Sequence, residues 1–321
     1  MNAREQEAVL TIALLAAFAD GAKDDREREE IKRIAESLSG EAGAPQLSQL
    51  YQSVLLKRVN VSQAVAALPD PAHRQLAYEM AVCVCDADAV ASDAEQKFLQ
   101  ELRIALGLDT KQALQVERDA AALADAPLPS APIAAAAVQP SGAGVPQATM
   151  SDVEMDKYIL NHAIVNGAIE LLPQSLATMA IIPLQIKLVY RIGQAYGHQL
   201  DKGHIREFIA TAGVGLTSQY IEQFGRKLLG GLLGTVAGGL GRGLGGLGAG
   251  AAFSFATTYA LGQLAKRYYA GGRQMSTALL QQTYQSLLGQ AKQLQGQYSS
   301  EIQHKASTLD AGQVMSLVKN T

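Results

Sequence analysis

Glycine density between Phe224 and Tyr269 limits this chain more than any other feature. The stretch reads FGRKLLGGLLGTVAGGLGRGLGGLGAGAAFSFATTYALGQLAKRYY, and twelve of the thirty glycines fall between Gly225 and Gly250. Glycine costs a soluble helix about 1 kcal/mol per position against alanine. A chain that crowds it among Leu, Ala and Val needs backbones to approach closely. Gly230, Gly234 and Gly238 are spaced four apart, Gly246 and Gly250 continue in phase, and Arg242 interrupts the register. That spacing leaves one helix face without side chains, the packing device used inside membranes.

Charge supports the same expectation. Gly243 to Ala265 is 23 residues with no ionisable side chain except Tyr259, bounded by Arg242 and by Lys266 and Arg267. About 20 apolar residues cross a bilayer core. Tyr259, Tyr268 and Tyr269 sit toward the far end, where interfacial aromatics belong. Leu228 to Gly241 is also uncharged but only 14 residues long, too short to span. A full crossing and a re-entrant or interfacial hairpin are both open. The competing reading is a Gly/Ala-rich hairpin buried in a helical domain. Gly241 to Gly246 contains a GxGxxG match, but neither a preceding strand nor a following acid makes it a dinucleotide fingerprint.

No stretch alternates as a strand does, so the class is all-α. With 321 residues the chain has room for two domains. A net charge of -3 argues against nucleic-acid binding. Cys83 and Cys85, two apart on a helix, point to different faces. They read as small buried side chains of a reducing compartment rather than a disulfide or metal pair. Ala8 to Ala19 mimics a signal-peptide core, but Glu5 and Glu7 precede it where a positive region belongs. It is expected to be the first core helix of a cytoplasmic domain.

Helices are expected over 3–19, from Asp24 or Asp25 to about Leu38, over 46–57, from Ser62, from Asp70-Pro71 to Cys85, over 94–106 and over 110–124. Asp70 is a favoured N-cap followed by Pro at the first helical position. Gly107 ends a helix. Two halves repeat: an apolar helix, an acidic loop, then an amphipathic helix. Asp20 is followed seven residues later by Glu27, and Asp88 by Glu95. Both pairs fit helix capping. Clustered carboxylates also suit a divalent cation such as Ca2+ or a basic partner, though the spacing is not that of an EF-hand.

The motif A-D-G-x-x-x-x-x-E between an apolar and an amphipathic helix, repeated loosely within 1–120, resembles the tellurite-resistance TerB domain family. That resemblance implies a compact helical fold with acidic residues linked to divalent-metal binding and membrane-associated stress complexes. Asp20, Asp24 and Glu27 match its first motif, and Asp88 and Glu95 its second. Ala89 and Ser92 depart from the pattern.

Residues 121–150 hold five of the ten prolines and read as a mobile linker. The run Pro183 to Gly197, P-L-Q-I-K-L-V-Y-R-I-x-x-x-Y-G, and the later Ala256 to Gly262 resemble the YcjF-like domain of unknown function over about 170–272. That domain occurs behind Era-like GTPase domains and in predicted bacterial inner-membrane proteins. No GxxxxGK[ST] occurs, so nucleotide chemistry would belong to a GTPase acting in trans. The expected divisions are 1–120, 121–150, 151–272 and a Gln-rich amphipathic helix and tail over 273–321.

The five histidines are scattered, and His198 and His204 near Asp201 read as exposed loop residues. Neither HExxH nor G-x-S-x-G occurs, so a non-enzyme is expected. The leading expectation is a bacterial inner-membrane protein whose cytoplasmic acidic domain docks partners or senses a cation, tethered by a glycine-zipper domain that contacts lipid and self-associates. The alternatives are a soluble oligomeric scaffold and a pore-forming or membrane-remodelling protein.

Overall fold

The computed structural model describes residues 1–21, 31–32, 47–88, 92–128, 149–172, 175–229 and 247–320. In chain order the helices are α1 (Ala3–Ala17), α2 (Leu47–Leu55), α3 (Val61–Ala66), α4 (Pro71–Cys85), α5 (Asp93–Leu106) and α6 (Thr110–Ala124). Then come α7 (Asp152–Glu170), α8 (Ser175–Met179), α9 (Ile181–Ala195), α10 (Lys202–Thr211) and α11 (Leu216–Leu229). The last are α12 (Leu247–Ala270), α13 (Thr277–Leu294), α14 (Ser299–Thr308) and α15 (Ala311–Asn320). No strand occurs among the described residues, and the class is all-α.

Two compact units are interleaved in sequence. The first comprises Met1–Asp125, Glu170–Ala180 and Gly215–Gly250; the second Ala126–Ile169, Ile181–Val214 and Ala251–Thr321. Composition placed divisions at 120, 150 and 272. Within the span expected to be one C-terminal domain, α8 and α11 instead pack with the N-terminal helices.

In the first unit α1 is the central helix. It packs on α2, α3, α4 and α11. Val9, Leu10, Ile12, Ala13 and Leu14 are at most 2% exposed. Neighbours on several sides explain why α1 is apolar nearly all round, as a core helix is. Each such side chain contributes about 1.5–3 kcal/mol on burial. An Asn2–Glu5 capping box starts the helix. Asp70 caps α4 with Pro71 in its first turn, and Gly107 ends α5 at φ +66°, as the sequence predicts. Cys83 and Cys85 form no disulfide and are buried in α4. The Tyr220 hydroxyl of α11 donates to the Met179 carbonyl of α8 (3.0 Å), and Gln6 of α1 donates to the Leu228 carbonyl of α11 (3.3 Å).

The second unit is organised around α12. Thr258 Oγ1 accepts from Asn166 of α7 (2.9 Å) and from Gln185 of α9 (3.0 Å), all three buried. Glycine permits the close approach. A Cβ at Gly262 would lie 2.7 Å from Ile159 Cγ2, and one at Gly167 would lie 3.3 Å from the Ala251 carbonyl oxygen. Phe208, Tyr268, Tyr269 and His198 form an aromatic cluster with centroids 5.0–5.8 Å apart. The region expected as a tail folds into α14 and α15, with Ile302, Val314 and Val318 buried.

The membrane-spanning expectation for Gly243 to Ala265 is corrected. Among the described residues no helix is long and apolar enough to cross a membrane. The described part of that run lies in α12, where Ser254, Thr257 and Thr258 are buried and the hydroxyls of Thr257 and Thr258 take part in hydrogen bonds. Gly230, Gly234, Gly238 and Gly246 lie outside the described residues. Gly250 is in the first turn of α12.

Candidate partner-docking cleft

Amphipathic patterning of α5 shapes a cleft in the first unit. Glu95, Leu99, Leu102 and Leu106 face inward at three- and four-residue spacing. The same periodicity turns Asp93, Gln96, Lys97, Gln100 and Arg103 into one wall. Asp86, the C-cap of α4, and Glu117 and Ala121 of α6 line the rest of a space of about 570 Å³, with Leu99 at its base.

Glu117 is held in place from beneath. Tyr78 is fully buried in α4, and its hydroxyl donates to Glu117 Oε1. Burial, reinforced by the Glu117 carboxylate, pushes the Tyr78 phenol well above its ordinary range, with Arg103 opposing. Tyr78 therefore remains a donor, and its hydrogen bond orients Glu117. The cleft offers two cations, three carboxylates and two primary amides. Such a set recognises an extended polar segment by hydrogen bonds and paired charges. Arg103 supplies a planar fork suited to a carboxylate.

The sequence-selected acidic residues have other placements. Glu95 is 2% exposed and accepts from the Ser92 backbone N–H (2.8 Å) and hydroxyl (2.9 Å), while Ser92 Oγ accepts from the Glu95 N–H (3.3 Å). This is a capping box at the start of α5. Asp20 lies in the bend after α1. Asp24 and Glu27 lie outside the described residues, as does the Asp88 side chain. Among the described residues, no three His, Cys, Asp or Glu side chains gather as metal ligands would.

His204 is exposed and caps with Asp201, at 2.9 Å. His198 is half-buried, with Nε2 donating to the Tyr269 carbonyl (3.2 Å), rather than the exposed loop residue expected. The cleft itself was missed at the sequence level. Its signal was present in the polar stripe of α5, but a stripe alone does not reveal the opposing Glu117.

This cleft lies almost wholly within a segment that has known relatives. Residues 1–120 match the family described as Protein of unknown function (DUF533). It is a TerB-like family, in agreement with the resemblance carried by the two acidic loops. No curated protein and no solved structure matches the chain. α5 and α6 supply every residue of the cleft except Asp86, the C-cap of α4, and every one but Ala121 lies within residues 1–120.

Proposed function

We propose that this chain is a non-enzymatic bacterial adaptor whose DUF533 segment docks an extended polar segment of a protein partner. The observation that carries this reading is the α5–α6 cleft, in which Arg103 and Lys97 share one space with Asp86, Asp93 and Glu117. The Tyr78–Glu117 bond fixes one carboxylate in advance of binding, which reduces the ordering cost.

A photo-crosslinking amino acid at Gln100, in cells that express the protein, tests this. A discrete adduct is expected from Gln100, absent from a control placed at exposed Gln49 and lost on Arg103→Glu. Adducts of equal pattern from both positions, or none from Gln100, overturn the reading.

The inner-membrane tether belongs to the same proposal on narrower grounds. It rests on the glycine series of residues 230–246 and on the YcjF-like resemblance over 170–272, as do self-association and a GTPase in trans. Carbonate-wash fractionation separates the two parts. Recovery of the whole chain in the wash removes the tether and leaves the docking proposal standing. Cation sensing at the acidic loops is an alternative use of the same segment, tested by Ca2+ titration.

A further inference from the structure

The turn after α2 exposes apolar and basic side chains together. α2 is anchored through one face. Tyr51 and Val54 are buried, and the Tyr51 ring meets Phe18, the C-cap of α1, edge-on at 5.9 Å between centroids. Leu55 and Leu56 lie beyond that face and are 42% and 58% exposed. Lys57 and Arg58 follow, both exposed, and neither has an ion pair or a side-chain hydrogen bond among the described residues.

Hydrogen bonds fix this turn. The Arg58 N–H donates to the Ser53 carbonyl (2.8 Å) and the Lys57 N–H to the Val54 carbonyl (3.0 Å), which closes α2 in a Schellman motif. Asn60 and Gln63 then form the capping box that opens α3. Lys57 occupies the left-handed position of the motif, at φ +52°. Glycine takes that conformation freely, whereas an L side chain is strained in it. Lysine there keeps a cation beside the two leucines, where glycine would cost less.

Cations after a helix C-terminus also suit its dipole, but the dipole accounts for no exposed leucine. A single exposed leucine is ordinary; here two adjoin two cations. Residues 42–69 contain no Asp or Glu, so nothing within the segment offsets the charge. Exposed leucines flanked by unpaired cations match a surface that is anionic at its face and hydrocarbon just beneath, which describes an anionic bilayer. We propose that the turn at 55–58 is a peripheral contact for an anionic lipid surface, with Leu55 and Leu56 entering the interface and Lys57 and Arg58 held at the headgroups. This contact is separate from the docking cleft and needs no membrane-spanning helix.

The chain contains no Trp, so Leu56→Trp in the full chain places a single reporter at the turn. Ile104→Trp, at a 70% exposed position in the same unit, is the positional control. Both are titrated with vesicles of brominated phosphatidylglycerol and, separately, of brominated phosphatidylcholine. Quenching is compared between the two positions, so a chain held on vesicles by another segment does not mimic the contact. On phosphatidylglycerol the Leu56→Trp emission is expected to move to the blue and to be quenched about threefold or more strongly than that of Ile104→Trp, with a smaller ratio on phosphatidylcholine. Adding Lys57→Gln and Arg58→Gln should bring the quenching down to the Ile104→Trp level. Equal quenching at the two positions, or quenching at neither, overturns the proposal. So does a Leu56→Trp signal that survives Lys57→Gln with Arg58→Gln. A blue shift on polyglutamate with none on vesicles overturns it in favour of an acidic protein surface. Circular dichroism establishes that each variant retains its helices, and Leu55→Trp takes the place of Leu56→Trp where that variant does not.

Discussion

Gln223 is the sharpest test of how the first unit holds together. It lies on α11, is 0% exposed, and neither its Oε1 nor its Nε2 has a hydrogen-bond partner. Each orphaned buried polar group costs about 1–3 kcal/mol. Methionine is unbranched, nearly as long, and carries no polar obligation. Gln223→Met removes both orphans and keeps most of the volume. Allowing for an internal water that meets part of the requirement, the expected gain is about 1–3 kcal/mol. With a urea m-value of about 2 kcal/mol/M, the midpoint should move up by about 0.5–1.5 M at unchanged m.

The chain has two units, so a global transition alone does not locate the effect. Hydrogen exchange does. Amides of α11 and of its neighbours α1 and α4 should exchange more slowly in the variant, and those of α13 should not change. Gln219→Met is the internal comparison. Gln219 is also buried but holds an interaction of its own, so the gain should be smaller or reversed. A loss of stability above about 1 kcal/mol for Gln223→Met, with α11 exchanging faster, would mean the amide is satisfied and would refute the reasoning.

Further outcomes follow from the same geometry. Gly262→Val should destabilise the second unit by about 2 kcal/mol or more, because Ile159 and Leu188 leave no room for it, while Gly289→Ala, in open space on α13, should stabilise by about 0.5–1 kcal/mol; thermal melts compare the two. Ser92→Ala should cost about 0.5–2 kcal/mol through loss of the α5 capping box, and millimolar Ca2+ should leave the wild-type melt unmoved, whereas a Ca2+-dependent rise lost in Glu95→Gln would favour a metal role. Burial raises the Asp156 carboxyl, but hydrogen bonds from Lys266 and Gln263 outweigh it and set the pKa below its ordinary value. Its contribution is therefore complete above the unfolded carboxylate pKa of about 4 and is lost as pH falls through the lower folded value, so Asp156→Asn should flatten the acid limb of stability for the second unit.

Much of the local structure was legible in the sequence. Asp70-Pro71, Ser92 and Gly107 announce helix ends because capping is decided by adjacent residues. The burial stripe of α5 follows from spacing alone. What could not be read depends on which helix faces which. The fourfold series suggested Gly230 to Gly250 as the packing face. Yet the close approaches described in the second unit use Gly167, outside that series, and Gly262, which keeps its four-residue register through Ser254 and Thr258, and both are revealed only by Ile159, Leu188 and Ala251 opposite them. The partnership of α11 with α1 was hidden because more than 200 residues separate Gln6 from Leu228. The cleft was hidden although its walls are close in sequence: Glu117 joins the α5 wall only when α6 folds back.

The uncharged run that suggested a membrane helix shows why absence of charge is an incomplete signal. Ser254, Thr257 and Thr258 lower the hydropathy only mildly, so the run reads as apolar. In the second unit they are among its specific contacts, with Thr258 accepting from two amides on two different helices. In lipid those amides would still need a partner, and Asn166 and Gln185 lie on helices that also carry buried polar groups. A sequence meant for lipid places few such obligations on several helices at once. The amide–hydroxyl junction instead fixes the register of α7, α9 and α12 within a protein core, where its hydrogen bonds are enclosed and one-turn slippage would break both. Thr258→Val tests the junction directly. It leaves the Asn166 and Gln185 donors unpaired at a cost of about 1–3 kcal/mol each, read as faster exchange across all three helices. Unchanged exchange in α7, α9 and α12 would mean that the junction does not hold their register.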